Sequence, residues 1–110
     1  MALDTLEERE RKIQLFERYG AVLNQHQSRL MELSLVRDWS LAEIASSEGT
    51  SRAAVHDLLT RSLHTLEEQE RALGLLGEEA RRRRQRERLQ RELESLRRRV
   101  DLLEELVEAL

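Results

Sequence analysis

From Glu78 to Leu110 the chain holds thirty-three consecutive positions without glycine or proline. A helix of that length extends about 50 Å. No small module can bury such a rod, so one face of it must stand in solvent or meet another helix. Leu89, Leu96, Leu103 and Leu110 recur by sevens, and Leu93, Val100 and Val107 fill the intervals at +4 and then +3. With the first set at d and the second at a, the seam is unbroken for three heptads, and Val at a with Leu at d favours two parallel strands. In a parallel pair a g residue meets e of the next heptad on the partner. Glu92 then faces Arg97 and Arg99 faces Glu104, both attractive; an antiparallel pairing offers no such match. These seven seam residues are the expected dimerisation set, and a homodimer is the expected state. Leu102 and Leu106 lie off the seam and widen the apolar face, enough to recruit a further helix such as the first one through Leu3 and Leu6.

Charge is distributed unevenly about this seam. Residues 81–99 carry ten arginines and three glutamates, whereas residues 100–110 carry four acids and no base. The block Arg81, Arg82, Arg83, Arg84, Arg86 and Arg88 precedes the first seam leucine, with Arg82 and Arg86 falling at d and a. Like charges there splay the strands. The block reads either as a solvated lead-in to the coil or as a basic patch for the phosphates of RNA or DNA. A basic stretch before leucines by sevens is the bZIP order, but the asparagine and small residues that such basic regions present to bases are missing. Stacking of single-stranded bases is disfavoured too, because Phe16, Tyr19 and Trp39 are the only aromatics in the chain and none lies here.

The remainder reads as a compact helical module over residues 1–73, joined to the tail by a glycine hinge at 74–77. Leu6, Ile13, Phe16 and Leu23 mark a first helix over about residues 4–23, with Gly20 a weak point inside it. Asn24 with Gln27 forms a capping box for a second helix carrying Leu30, Met31, Leu33, Leu35 and Val36. Ser40 with Glu43 caps a short third helix, and Ser51 caps a fourth that runs to about Leu73. Scarcity of aromatic and β-branched residues argues against a sheet. The absence of cysteine removes disulfides and thiolate metal sites. His26, His56 and His64 show no chelating spacing, no glycine-rich phosphate loop or nucleophile elbow occurs, and the paired acids are ordinary helix-surface charges. No enzyme activity, metal or cofactor is expected. No apolar run approaches the roughly 18 residues of a membrane span, and the first residues form no secretory signal; a cytoplasmic protein is expected.

Residues 40–66 have the order of a helix-turn-helix. Ala45 is small where the second helix crosses, Gly49 sits where the turn wants positive φ, and Val55 and Leu58 pin the second helix to the core. Glu48 and Thr50 stand where apolar residues are usual, which loosens the expected turn. If the second helix enters a major groove, Ser51, Arg52, Ala54 and His56 face base edges and Arg61 lies nearer the backbone. Only Arg52 has a fork suited to guanine. Against this, residues 40–66 sum to −1, whereas DNA readers normally supply positive charge for phosphate contacts.

Four stretches are also familiar: Leu15-Phe16-Glu17-Arg18-Tyr19-Gly20, Leu30-Met31-Glu32-Leu33, Asp38-Trp39-Ser40-Leu41-Ala42-Glu43-Ile44-Ala45 and Ser51-Arg52-Ala53-Ala54-Val55-His56-Asp57. Through them, over about residues 12–75, the chain resembles the YlxM-like family of small bacterial helix-turn-helix proteins, relatives of region 4 of sigma factors. The resemblance implies an all-α fold, self-association and a link to the signal recognition particle pathway. The expected architecture is therefore all-α, a sigma region 4-like helix-turn-helix module followed by a long C-terminal coiled-coil helix. The leading expectation is a non-catalytic, dimeric regulatory or accessory protein of the signal recognition particle pathway, acting through protein or RNA contacts. A DNA-binding transcriptional regulator that uses the helix-turn-helix is the alternative, and a purely structural oligomer is a third.

Overall fold

A computed structural model describes residues 5–110; Leu3, read above as a possible contact for the tail, lies outside them. Five α-helices and one 3-10 turn make up the regular structure: α1 (Leu6–Tyr19), the turn Gly20–Val22, α2 (Gln25–Leu35), α3 (Leu41–Glu48), α4 (Arg52–Leu73) and α5 (Leu75–Glu108). The chain divides into two units, residues 5–76 and residues 77–110. The fold is all-α, a helix-turn-helix module and a long C-terminal helix.

Local chemistry starts each helix where the sequence places it. Thr5, Asn24 and Ser40 each accept from the backbone N–H three residues on, and Glu8, Gln27 and Glu43 reach back to the cap N–H, closing three capping boxes. Ser51 accepts from the Ala54 N–H at 3.1 Å. The first helix ends earlier than expected. Gly20 is not a weak point within it but its C-cap, donating its N–H to the Phe16 carbonyl, and the 3-10 turn carries the chain on to Leu23.

The second helix stops at Leu35 because Asp38 takes a left-handed backbone, φ 57°, in which the chain turns toward Ser40. Arg9 on α1 secures that corner. Its guanidinium donates to the Leu35 carbonyl at 2.6 Å and the Ser34 carbonyl at 3.4 Å, and lies 3.1 Å from the Asp38 carboxylate. It thereby satisfies carbonyls that the end of α2 leaves open.

The core of the first unit is built on α4, which packs against α1, α2 and α3. Leu66 sits in one cluster with Leu15, Tyr19, Leu23, Met31 and Leu35; Val55 sits in the other with Leu30, Ile44 and Ala45. Leu59 abuts both clusters and joins them. Two apolar residues assigned to helix faces by periodicity point outward instead: Leu6 is 73% exposed and Val36 62%. Ser62, the one fully buried polar residue among those described, returns its hydroxyl proton to the Leu58 carbonyl at 2.8 Å.

A polar knot closes the unit beyond α4. The Tyr19 hydroxyl donates to Glu70 Oε1 at 2.5 Å and accepts from the Leu75 N–H at 3.2 Å, while Glu70 Oε1 also accepts from the Leu76 N–H at 3.0 Å. The first N–H groups of α5, which no helical carbonyl can reach, are thus met by side chains 51 residues apart in sequence. Burial, then the hydrogen bond to Glu70, pushes the Tyr19 hydroxyl above its ordinary range and keeps it a donor. Of the four residues 74–77, only Gly74 lies outside a helix. It closes α4 in the left-handed region at φ 63°, and α5 starts at Leu75 and runs through Gly77.

In the second unit the helix has no buried residue. Leu89, Leu93, Leu96, Val100, Leu103 and Val107 are each between 47% and 67% exposed, and Leu102 and Leu106 are exposed as well. Leu110 lies just past the end of the helix.

Candidate nucleic-acid interface

The turn between α3 and α4 has the geometry its sequence asks for. Gly49 closes α3 at φ 68° and ψ 34°, a conformation that costs a residue with a Cβ about 1 kcal/mol or more. Ala45 and Val55 are buried against Ile44 and Leu30, and Leu58 packs beside them. The small residue at 45 lets the two helices close on each other. Glu48, expected to loosen the turn, is instead held. Its carboxylate meets the Arg29 guanidinium of α2 at 2.5–2.6 Å and is only 14% exposed, so an ion pair does the packing that an apolar residue would have done. Thr50 is exposed.

The five residues proposed for groove reading sit on α4 or at its cap. Ser51, Arg52, Ala54 and His56 are all exposed. Ser51 has its hydroxyl engaged as the N-cap. Arg52 reaches solvent with no ion pair to another described residue. Arg61 leans on Asp57 one turn earlier, 3.8 Å from its carboxylate and 3.4 Å from its carbonyl. That contact partly offsets the one cation expected near a backbone. The helix therefore brings the five together but gives them little positive potential.

A feature the sequence did not announce lies beside them. Arg9, Lys12, Met31, Leu35, Trp39, Leu41, His56, Leu59 and Leu63 are among the residues lining a groove of about 690 Å³ where α1, α2, α3 and α4 meet. Glu43 stands on its rim. The Ser40 backbone N–H, then its hydroxyl, holds the Glu43 carboxyl below the ordinary carboxylate range. A carboxyl whose folded-state pKa is depressed adds stability above its unfolded value and loses it as pH falls through the folded one. Glu43→Gln should therefore flatten the acid limb of the stability profile. In urea melts, the gap between variant and parent holds from neutral pH down to the ordinary glutamate range and narrows as pH falls through that range toward the lowered folded-state value; a gap that stays constant throughout contradicts this assignment.

The arginine block lies on a different surface. Arg81, Arg82, Arg83, Arg84, Arg86 and Arg88 are all exposed along α5. Arg82 pairs with Glu78 at 2.8 Å; no ion pair with another described residue engages the other five.

Comparison with known proteins places this arrangement. Residues 6–107 match the family model of UPF0122, the YlxM / p13-like helix-turn-helix proteins. The chain belongs to this family. The match covers the long helix as well as the module, so it reaches well past the residues 12–75 that carried the resemblance in the sequence. A UPF0122 protein of Symbiobacterium thermophilum is 44% identical over 80 residues, 73% of this chain and 75% of that protein. UPF0122 proteins of Streptococcus gordonii and Streptococcus pneumoniae are each 40% identical over 73 residues, 66% of this chain and 66% of theirs. Among the described residues no helix is long and apolar enough to cross a membrane.

Proposed function

We propose that the chain is a non-catalytic, dimeric accessory protein that works through the arginine-rich start of α5 on a polyanionic component of the signal recognition particle pathway, its RNA foremost. The observation that carries the reading is a contrast between two surfaces. The helix-turn-helix balances its charge, with Asp57 on Arg61 and Glu48 on Arg29. The block at 81–88 holds six exposed arginines beside one acid, Glu87. Affinity for a polyanion comes chiefly from such charge, by release of condensed counterions. The pathway itself is taken from the family resemblance, and the exposed seam of α5 supports the dimer.

Titration against signal recognition particle RNA and duplex DNA at several salt concentrations tests this. The triple variant Arg82→Gln, Arg83→Gln, Arg84→Gln, which removes three of the six block arginines, should weaken binding strongly and lose about half of the salt dependence, while Arg52→Ala changes neither. Failure to retain either the RNA or the particle's proteins overturns the proposal. The alternative, a DNA-reading regulator, draws on the exposure of Ser51, Arg52, Ala54 and His56 at the start of α4. It requires the opposite result: a preferred DNA sequence whose binding Arg52→Ala abolishes.

A further inference from the structure

The leucine seam stops at Leu89, but the helix that carries it does not. α5 is continuous from Leu75 to Glu108, so the heptad register extends upstream without a break. It puts Arg86 at a, Arg82 at d, Gln85 at g and Gln90 at e. These four, with Leu89 and Leu93, line one shallow concave strip on the helix surface. Two arginines thus occupy the stripe that two leucines occupy one heptad later. Gln85 and Gln90 flank them where an acid would have neutralised them. Glu78 reaches Arg82; Arg86 has no acidic partner among the described residues.

We infer that, when two copies pair through Leu89 to Val107, this strip becomes the inner wall of an arginine-lined fork that grips the phosphate backbone of a nucleic acid. The inference rests on the dimer and polyanion reading above and adds where the anion sits and that both copies build its site. In a parallel pair Arg82 and Arg86 meet their counterparts, so four guanidiniums converge where the seam opens. Repulsion holds the arms apart until a counter-charge enters. Guanidinium forks suit phosphate oxygens in both geometry and charge. A protein partner fits less well, because residues 81–88 contain no apolar side chain and protein interfaces depend on a buried apolar or aromatic centre. Phosphate binding and pairing are then coupled reciprocally: each strengthens the other.

The test compares two charge-matched variants of the full chain. Arg82→Gln with Arg86→Gln alters the stripe. Arg84→Gln with Arg91→Gln removes the same charge from position f, on the far face. Probes are a short RNA duplex, a DNA duplex of the same sequence, and poly-glutamate, with binding and sedimentation both measured against salt. The stripe variant should weaken duplex binding at least about tenfold more than the far-face variant. It should lower the slope of log K on log [salt] by about four, one for each arginine lost per dimer. It should also dimerise more tightly than the parent without nucleic acid, and no longer respond to it. Tighter binding of one duplex than the other supports the fork and tells which backbone fills it, and equal binding of both supports a fork that takes either backbone. Equal losses in the two variants, or poly-glutamate binding as tightly as the duplexes, overturn the fork while leaving the accessory-protein reading standing. A monomeric parent chain overturns both.

Discussion

A chain carrying Leu96→Asp and Leu103→Asp is expected to scatter light as a monomer, and the parent chain as a dimer. The expectation rests on the state of α5. Its 34 residues contain none that is buried, and Leu89, Leu93, Leu96, Val100, Leu103 and Val107 form one exposed stripe. Monomeric proteins rarely leave a contiguous apolar stripe in water, and a long isolated helix gains little from propensity alone. In the proposed dimer a second copy would cover the stripe in matched layers. Each substitution removes one leucine layer and places a pair of carboxylates at the centre of the seam. Loss of a buried leucine costs about 2–5 kcal/mol, and every 1.4 kcal/mol is about tenfold in affinity, so dimerisation weakens at least about a hundredfold. The helix-turn-helix module should keep its own melting transition. Strand direction is separable by a second variant, since the chain has no native cysteine. Leu103→Cys at a d position meets its own counterpart in a parallel pair and should oxidise to a covalent dimer. In an antiparallel pair it would lie against a different layer and stay reduced. A double-aspartate chain that remains dimeric sinks the seam as the interface.

Legibility followed the range of the interaction. Capping boxes at Asn24–Gln27 and Ser40–Glu43 span three residues, so the sequence alone places those helix starts, and the structure forms both. Gly49 and the end of α4 before Gly74 were equally readable, because a left-handed backbone favours glycine. The end of α1 was not. Apolar periodicity runs on from Tyr19 to Leu23, but Tyr19 turns its hydroxyl to Glu70, 51 residues away, and the chain tightens into a 3-10 turn. Arg9 on the carbonyls of Ser34 and Leu35, and Arg29 on Glu48, are of the same kind. Each is a pairing of one arginine among eighteen with a distant acceptor, and no local pattern singles it out. Glu48 shows the consequence: read as a departure from an apolar turn, it is a packed member of that turn once Arg29 is brought beside it. Of the candidate interface, the exposure of Ser51, Arg52, Ala54, His56 and Arg61 was readable. The partial offset of Arg61 by Asp57 was half visible as an i,i+4 pair, and the groove beside His56 was invisible, because four separate elements build it.

Leu66→Ala should cost the module about 4 kcal/mol, near the upper end of the range for a buried leucine, and at 37 °C leave a substantial unfolded fraction. Domains of this size are only marginally stable. Leu66 is fully buried, and its side chain sits where α1, α2 and α4 converge on Leu15, Tyr19, Met31 and Leu35. The penalty depends on how far the surroundings relax into the vacated space. Here they relax little. Glu70 follows Leu66 by one turn of α4 and is tied to Tyr19 and the Leu76 N–H, while Tyr19 belongs to the cluster that would have to move inward. Collapse of α4 toward α1 would pull the carboxylate off those donors, so the cavity persists. Exposed Leu6 is the matched control: Leu6→Ala should stay within about 0.5 kcal/mol of the parent. The same reasoning predicts coupling. Tyr19→Phe removes the hydroxyl that holds Glu70 and frees the helix to settle, so combined with Leu66→Ala it should lower stability by less than the sum of the two changes made singly. Urea denaturation of the four chains decides it. Strict additivity would mean that the knot at Glu70 does not hold the cavity open, and a Leu66→Ala cost below about 2 kcal/mol would mean that α4 does collapse.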